Sequence, residues 1–498
     1  MRENLVIRTD AGTQIGAGHA MRCLALAQEW KAGSGMVEFL SKTLPDTIRK
    51  RIEEEGCTVR ALSAEPYTEE DAVETAACAT KTNAQWIVVD GYDFSASYQQ
   101  SIKQNGHKLL FIDDYGHAEH YCADIVLNQN VYASEELYES REPETKLLLG
   151  TTFALLRKEF AQETAEKEIA PAARKILVTL GGSDPENVTA KVIEAITSVK
   201  GLAATIVVGG VNPNIQRIQT DGDARGMEII VDATNMKRLM EWADIAISGG
   251  GTTCYELACV GLPALSIVLA DNQRAVAEGM EESDAAVNLG WHADVSPKEI
   301  SDALRKLLTD QVKRTTMSQA GKSLVDGHGA ARVCMELANE KLWLRDARKA
   351  DCNLLFQWAN NRTVRAAAFH SEPIEWEDHI EWFLRSLSDR ECQIFIAINS
   401  ENQPIGQIRF NSIPDGMTVE IDVHIDPKFQ GKGYGSALIN IGIRRMWSVH
   451  SAHNFQATIK QKNSASVRAF RKAGFSGEKT GVEHGFPVYY LSKNMNED

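Results

Sequence analysis

Four short stretches hold residues whose types and spacing could do chemistry. The first is Arg8-Thr9-Asp10 followed by Ile15-Gly16-Ala17-Gly18-His19 and Arg22. A strand ending near Arg8 and a helix opening near Gly18 would put this turn beyond the carboxyl end of a strand, where open α/β sheets bind ligands. Gly16 and Gly18 let backbone come close to a ligand, and the helix N-terminus favours developing negative charge. A His there suits a general base near neutral pH, because the positive helix end disfavours a second positive charge. Simple helix capping is the other use of such a residue. Asp90-Gly91-Tyr92 and Asp113-Asp114-Tyr115 end two further strand-like runs and would line the same crevice. Their carboxylates can bind sugar hydroxyls or move protons, and they can equally cap turns.

Two more stretches predict a diphosphate cradle. Leu180-Gly181-Gly182-Ser183-Asp184-Pro185 ends a strand and opens a helix, and Ile247-Ser248-Gly249-Gly250-Gly251-Thr252-Thr253-Cys254-Tyr255-Glu256 does so more emphatically. Consecutive glycines before a helix expose N–H groups beside a positive helix end. Gly182, Ser183, Ser248, Gly250, Gly251, Thr252 and Thr253 are the expected contacts, with Glu256 placed one turn on to accept from ribose hydroxyls. No G-K-[ST] follows either segment, so neither is a Walker loop. Asn272 and Gln273, after the next strand, are expected on the sugar or phosphate, with loop capping as their alternative.

The fourth stretch is Val419-Glu420-Ile421-Asp422-Val423-His424-Ile425, an alternating strand, leading into Gln430-Gly431-Lys432-Gly433-Tyr434-Gly435-Ser436. Q-x-x-G-x-G between a strand and a helix resembles the pyrophosphate loop of GNAT-type N-acetyltransferases. Asn463-x-x-Ser466-x-x-x-Phe470-x-x-x-Gly474-Phe475 is similar to the second half of that family's acetyl-CoA site. The resemblance implies acetyl-CoA as cosubstrate, held by Gln430 through Ser436 with Asn463 and Ser466, and by the strand edge at Val423 and Ile425. Glu420 and Asp422 share a strand face, and Glu420 is the expected base for an incoming ammonium. Many family members carry a tyrosine where this chain has Phe470; Tyr489 and Tyr490 are the other phenols available as proton donor.

Positioning these stretches requires elements of two kinds. From Asn4 to about Leu344, short β-branched strands alternate with amphipathic helical stretches. The predicted strands are 5–8, 37–40, 86–90, 109–113, 125–128, 176–180, 204–208, 229–232, 245–248 and 264–269. Ten such strands predict two parallel, Rossmann-like halves. After about Lys341 the pattern becomes an antiparallel meander with strands at 342–345, 393–398, 405–410, 418–426 and 455–459. The expected fold is α/β, with two Rossmann-like halves followed by an α+β domain. The boundaries are expected at 1–156, 157–340 and 341–498, with the polar stretch 157–174 as linker.

The Ser-Gly-Gly-Gly-Thr segment with Glu256 and Gly261-Leu262-Pro263 resembles the UDP-binding half of GT-B-fold enzymes. A narrower pattern joins Arg8, Asp10, Ile15-Gly16-x-Gly18-His19-x-x-Arg22, Asp90-x-Tyr92 and Asp113-Asp114. It continues through Cys122 to Asn128 and Phe153-Ala-Leu-Leu-Arg157-x-Glu159-Phe160. Over residues 4–335 this resembles the hydrolases of pseudaminic acid biosynthesis that cleave UDP-2,4-diacetamido-2,4,6-trideoxy-β-L-altropyranose to free sugar and UDP. The resemblance implies inverting attack by water without a metal, His19 as base with Asp10, and Arg8, Arg22 and Tyr92 on the sugar. Leu355-Phe356-Gln357-Trp358-x-Asn360, Val364-Arg365, Ser371 to Ile374, His379 and Trp382-Phe383 look like the same pathway's N-acetyltransferases. Those acetylate the 4-amino group of UDP-4-amino-4,6-dideoxy-N-acetyl-β-L-altrosamine, which would make the two steps consecutive. A UDP-sugar glycosyltransferase, a stereoisomeric sugar and a nucleotide-sugar-binding regulator remain open.

Composition narrows the class. The chain has 498 residues, 43% hydrophobic and 24% charged, enough for several cores. A formal net charge of −15 argues against a basic face for nucleic acid. No apolar run approaches the roughly 18 residues of a membrane span, and the first five residues carry no signal-peptide pattern. The 9 cysteines are scattered without a C-x-x-C pair, and His117 and His120 are not spaced as H-E-x-x-H. The expectation is a cytoplasmic protein with nucleotide sugars and acetyl-CoA as partners, neither nucleic acid nor membrane, and no metal.

Overall fold

A computed structural model of the chain describes residues 2–12, 15–163, 168–413, 417–449, 453–477 and 479–495. It divides into two compact units, one of residues 3–30 and 36–333, the other of 334–498 with 1–2 and 31–35.

The larger unit holds two parallel sheets. The first contains β1 (Asn4–Thr9), β2 (Val37–Ser41), β3 (Thr58–Ala61), β4 (Ala84–Asp90), β5 (Lys108–Ile112), β6 (Ile125–Asn128) and β7 (Lys146–Leu149), in the order β3-β2-β1-β4-β5-β6-β7. Runs such as Leu5-Val6-Ile7 and Ile87-Val88-Val89 are buried throughout, as parallel strands covered on both faces must be. The second contains β8 (Lys175–Thr179), β9 (Ala203–Val208), β10 (Glu228–Val231), β11 (Ile245–Gly249), β12 (Ala264–Val268) and β13 (Ala286–Trp291), in the order β10-β9-β8-β11-β12-β13. Strand order reverses beside β1 and β4 in one sheet and beside β8 and β11 in the other. A ligand crevice belongs outside the carboxyl ends of those strands.

The α/β reading and all ten expected strands are present in this unit. The three it missed, β3, β7 and β13, are edge strands. β3 has no buried residue and β7 and β13 have one each, so none carries a long buried apolar run. The stretch expected as a linker is packed at its start: a short helix, Lys158–Ala161, buries Phe160 among Ala154, Leu156, Tyr255 and Cys259. Residues 164–167 of that stretch lie outside the described ones.

The smaller unit contains β14 (Leu342–Asp346), β15 (Cys392–Asn399), β16 (Pro404–Ser412), β17 (Thr418–Ile425), β18 (Asn454–Lys460), β19 (Thr480–Glu483) and β20 (Phe486–Asn494), in the order β14-β15-β16-β17-β18-β20-β19. All neighbours are antiparallel except β17 and β18. That pair is joined only from Thr418–Asn454 to Glu420–Gln456, after which the strands part. One face packs Val419, Ile421, Ala457 and Ile459 against the helices Tyr434–Val449 and Ser464–Lys472. The other carries Glu420, Asp422 and His424.

Gly329, opening the helix Gly329–Leu337, lies directly against Phe153 and Ala154, so a Cβ there would overlap the backbone of both. Gly329→Ala is expected to destabilise the larger unit by about 1–3 kcal/mol, read as a lower urea midpoint with unchanged slope.

Candidate active sites

His19 is the second residue of the helix Gly18–Ala32, directly beyond β1, and Arg22 lies one turn on along the same face. Asp90 ends β4 and meets both: His19 Nδ1 is 2.7 Å from its Oδ1, while Arg22 donates from Nε to Oδ2 and from Nη2 to Oδ1, each at 2.7 Å. Arg22 Nη1 donates to Asp114 at 2.7 Å, and the Tyr92 hydroxyl donates to the other Asp114 oxygen at 2.7 Å. Across the crevice, Asn272 Nδ2 donates to the Tyr92 oxygen at 3.0 Å. Burial pushes the Asp90 carboxyl up, but the Arg22 guanidinium and His19 outweigh it and hold it well below the usual carboxylate range. Burial against Arg22 leaves Asp114 low in the same way. Burial and the Asp114 charge push the Tyr92 phenol well up, so it stays a donor. An ionised Asp90 accepts the Nδ1 proton, which leaves the His19 Nε2 lone pair free for a proton.

Two expectations for this half are corrected. Arg8 is wholly buried, bound to Asp71 at 2.9–3.0 Å and to Asp10 at 2.7 Å, and does not line the crevice. Asp10 does line it, but one oxygen takes Arg8 and the other takes the amides of Lys42 and Thr43 at 2.7 and 2.9 Å. It braces the loop after β2, and the acid bonded to His19 is Asp90.

The crevice encloses about 910 Å³ and is lined from both halves: His19, Arg22 and Tyr92 on one side, Gly182, Ser183, Gly250 to Thr253, Glu256, Asn272 and Gln273 on the other. Such a volume suits a nucleotide-sized ligand. The amides of Gly251, Thr252 and Thr253, at the start of the helix Thr253–Val260, have no partner among the described residues. The Gly250 amide is committed, to Ile267 O at 3.2 Å and Gln273 Oε1 at 3.1 Å. Gln273 also takes the Leu269 amide at 3.0 Å, so it caps the loop. Ser248 is fully buried in β11 with its hydroxyl 4.0 Å from Cys254 Sγ, away from the crevice. Glu256 is held by Arg157 at 2.9 Å, and Arg157 also reaches Glu159 at 3.0 Å. Arg157 and Arg51 both line this end; burial and then Arg157 push the Arg51 guanidinium down.

In the smaller unit, Gln430 to Gly433 form the turn between β17 and the helix Tyr434–Val449, with φ of 76° at Gly431 and 84° at Gly433. Those angles favour glycine. The amides of residues 431–435 have no partner among the described residues. Gln430 donates back to Ile425 O at 3.0 Å and Ser436 to Gly433 O at 3.4 Å, so both side chains close the turn. Lys432 Nζ stands 5.4 Å from the Phe429 ring, and Tyr434 packs edge-on to that ring at 6.4 Å. Asn463 caps the next helix through the Ser466 amide at 3.2 Å. Val423 and Ile425 lie on the part of β17 that has left β18. Glu420 accepts from Thr458 at 3.4 Å, while Asp422 is paired with Arg409 at 2.9 Å. Burial pushes the His424 imidazole down to about 4. Phe470 is buried edge-on against Phe475, and Tyr490 donates to Glu483 at 2.7 Å.

The depressed Asp90 and Asp114 carboxyls stabilise the fold above the unfolded aspartate value and lose that contribution as pH falls. Stability of the larger unit should therefore drop below about pH 4. Asp90→Asn is expected to cost about 3 kcal/mol at neutral pH and to flatten the acid limb, measured as urea midpoints from pH 7 to pH 2.

Residues 341–476 match the acetyltransferase (GNAT) domain family, and residues 176–330 match the glycosyltransferase family 28 C-terminal domain. An uncharacterized protein of Methanocaldococcus jannaschii is 23% identical across 96% of this chain and 98% of its own. The UDP-2,4-diacetamido-2,4,6-trideoxy-β-L-altropyranose hydrolase of Campylobacter jejuni is 26% identical, over 55% of this chain and 94% of its own. The L-amino acid N-acyltransferase of Escherichia coli is 30% identical, over 26% of this chain and 78% of its own. No helix among the described residues is long and apolar enough to cross a membrane. The chain belongs to the GNAT acetyltransferases through its C-terminal unit, fused to a GT-B-like unit that is similar to a UDP-sugar hydrolase.

Proposed function

We propose that this chain acetylates the 4-amino group of UDP-4-amino-4,6-dideoxy-N-acetyl-β-L-altrosamine with acetyl-CoA and then hydrolyses the diacetamido UDP-sugar to free sugar and UDP. The division of labour follows residues 1–156 for the base and sugar, 157–340 for UDP and 341–498 for acetyl transfer, in a cytoplasmic enzyme. One observation carries the hydrolytic reading: a His19–Asp90 pair faces the open amides of residues 251–253 within one crevice.

In that reading His19 Nε2 takes a proton from water, whose oxygen attacks the anomeric carbon opposite the departing UDP. Asp90 holds the imidazole and stabilises its protonated form. The 251–253 amides and the positive helix end take up the charge on the diphosphate without a metal. Glu256, held by Arg157, accepts from ribose hydroxyls, and Tyr92, Asn272 and Arg22 face the sugar. In the smaller unit the 431–435 amides hold the coenzyme A pyrophosphate, and the freed edge of β17 pairs with pantetheine. Glu420 takes the proton of the incoming ammonium, directly or through water.

The family matched by residues 176–330 also supports a second reading, sugar transfer to an acceptor. NMR of the protein with acetyl-CoA and the UDP-4-amino sugar, without acceptor, separates the two. The diacetamido UDP-sugar followed by free sugar and UDP is the expected course. A halt at the acetylated UDP-sugar would favour transfer, and no acetylation would refute the acceptor. His19→Ala should slow UDP release by about 10²–10⁴-fold while CoA release continues at the unaltered rate.

A further inference from the structure

Away from the crevice, His120, Cys122 and Glu142 bring an imidazole, a thiol and a carboxylate within 4.8 Å of one another. Their positions along the chain concealed this, because Glu142 arrives from a separate segment. The two segments are stapled by a bridge between Tyr121 and Arg141: the Tyr121 amide donates to Ser140 O and the Glu142 amide to Tyr121 O, both at 3.0 Å. The Cys122 amide is held by the buried Gln99 side chain at 3.0 Å. The backbone under all three groups is thus fixed before any ion arrives.

We propose that these three side chains form a binding site for a borderline transition-metal dication, Zn²⁺ being the best match. Imidazole nitrogen, thiolate and carboxylate are the donor set that zinc takes, with water completing a tetrahedron. His120 Nε2 lies 3.2 Å from Glu142 Oε1, and zinc bonds of ordinary length set that tetrahedral edge at about 3.3 Å. An N···S edge is about 3.6 Å by the same geometry, so from a separation within 4.8 Å the sulfur closes by about 1.2 Å at most. The exposed Glu142 and the Cys122 rotamer can supply that movement. His120 Nδ1 is 3.1 Å from Ser140 Oγ, the outer contact that fixes the orientation of a metal-binding imidazole. On binding, the metal–sulfur bond replaces the Cys122 S–H bond, the proton goes to solvent, and no oxidation state changes. His117 is not a ligand, since its Nδ1 lies 3.2 Å from Asp113 within a ring cluster of Tyr92, Phe111 and Tyr115.

The test titrates Zn²⁺ into the full chain against a chromogenic chelator, then repeats with Co²⁺ as a spectroscopic probe. One ion per chain is expected, with affinity reduced by about tenfold or more in His120→Ala and Cys122→Ser and by about tenfold in Ser140→Ala. Cobalt should give a thiolate charge-transfer absorption that Cys122→Ser abolishes. Zinc affinity unchanged in both ligand variants, cobalt–thiolate absorption retained in Cys122→Ser, or no such absorption in the wild type would each overturn the site. If Cys122→Ser fails to fold, His120→Ala and the wild-type cobalt spectrum still decide it.

Discussion

A buried carboxylate at the end of β4 organises the larger unit's crevice. Asp90 is removed from water, a cost of several kcal/mol for an isolated ion, and it is tolerated because Arg22 and His19 meet both its oxygens. Arg22 in turn needs Asp114, and Asp114 takes the Tyr92 hydroxyl. Each member is satisfied only while the others stay in place. The consequence for His19 is a fixed ring with one defined nitrogen toward the crevice. Such preorganisation costs nothing at the moment of reaction, and it rests on the adjacency of β1 and β4 where strand order reverses.

The same backbone physics recurs at residues 251–253 and 431–435. In both, a strand ends, glycines lead into a helix, and amides that cannot join the helix ladder are left without a protein partner. What surrounds them differs. The first set faces a second half-sheet across a crevice, while the second lies beside β17 where it leaves β18. Basic side chains stand near both, Arg51 and Arg157 in the crevice and Lys432 within the second turn, in a chain whose net charge is −15.

What was legible in the sequence was mostly backbone. Gly16–Gly18, Gly249–Gly251 and Gly431–Gly433 announce turns through composition alone, and the buried strands announce themselves as apolar runs. Side-chain partners were less legible, because a partner depends on which distant residue the fold delivers. Arg8 stands one strand residue from the crevice, yet Asp71, from the helix Glu69–Lys81, claims it. Gln273 reaches the cradle as expected, but its carbonyl closes the loop. Ser248 belongs to the glycine motif by position and to the sheet interior by strand alternation. Asp90 was visible only as one of several strand-end carboxylates; nothing local says that it, and not Asp10, faces His19.

The two proposed reactions ask different things of their leaving groups. In the hydrolytic step the charge that develops sits on the diphosphate, directly on the open amides of residues 251–253. In acetyl transfer the matching amides hold a pyrophosphate that does not react, and the charge develops on the sulfur at the far end of the cofactor. The residue that often protonates that sulfur is replaced by Phe470, buried against Phe475. Tyr490, the nearest phenol in sequence besides Tyr489, already donates to Glu483. In the proposed acetyl transfer, removing the proton of the incoming amine and aligning the cofactor along the free edge of β17 are the further sources of rate, and the polar face of that strand carries Glu420, Asp422 and His424 in a row.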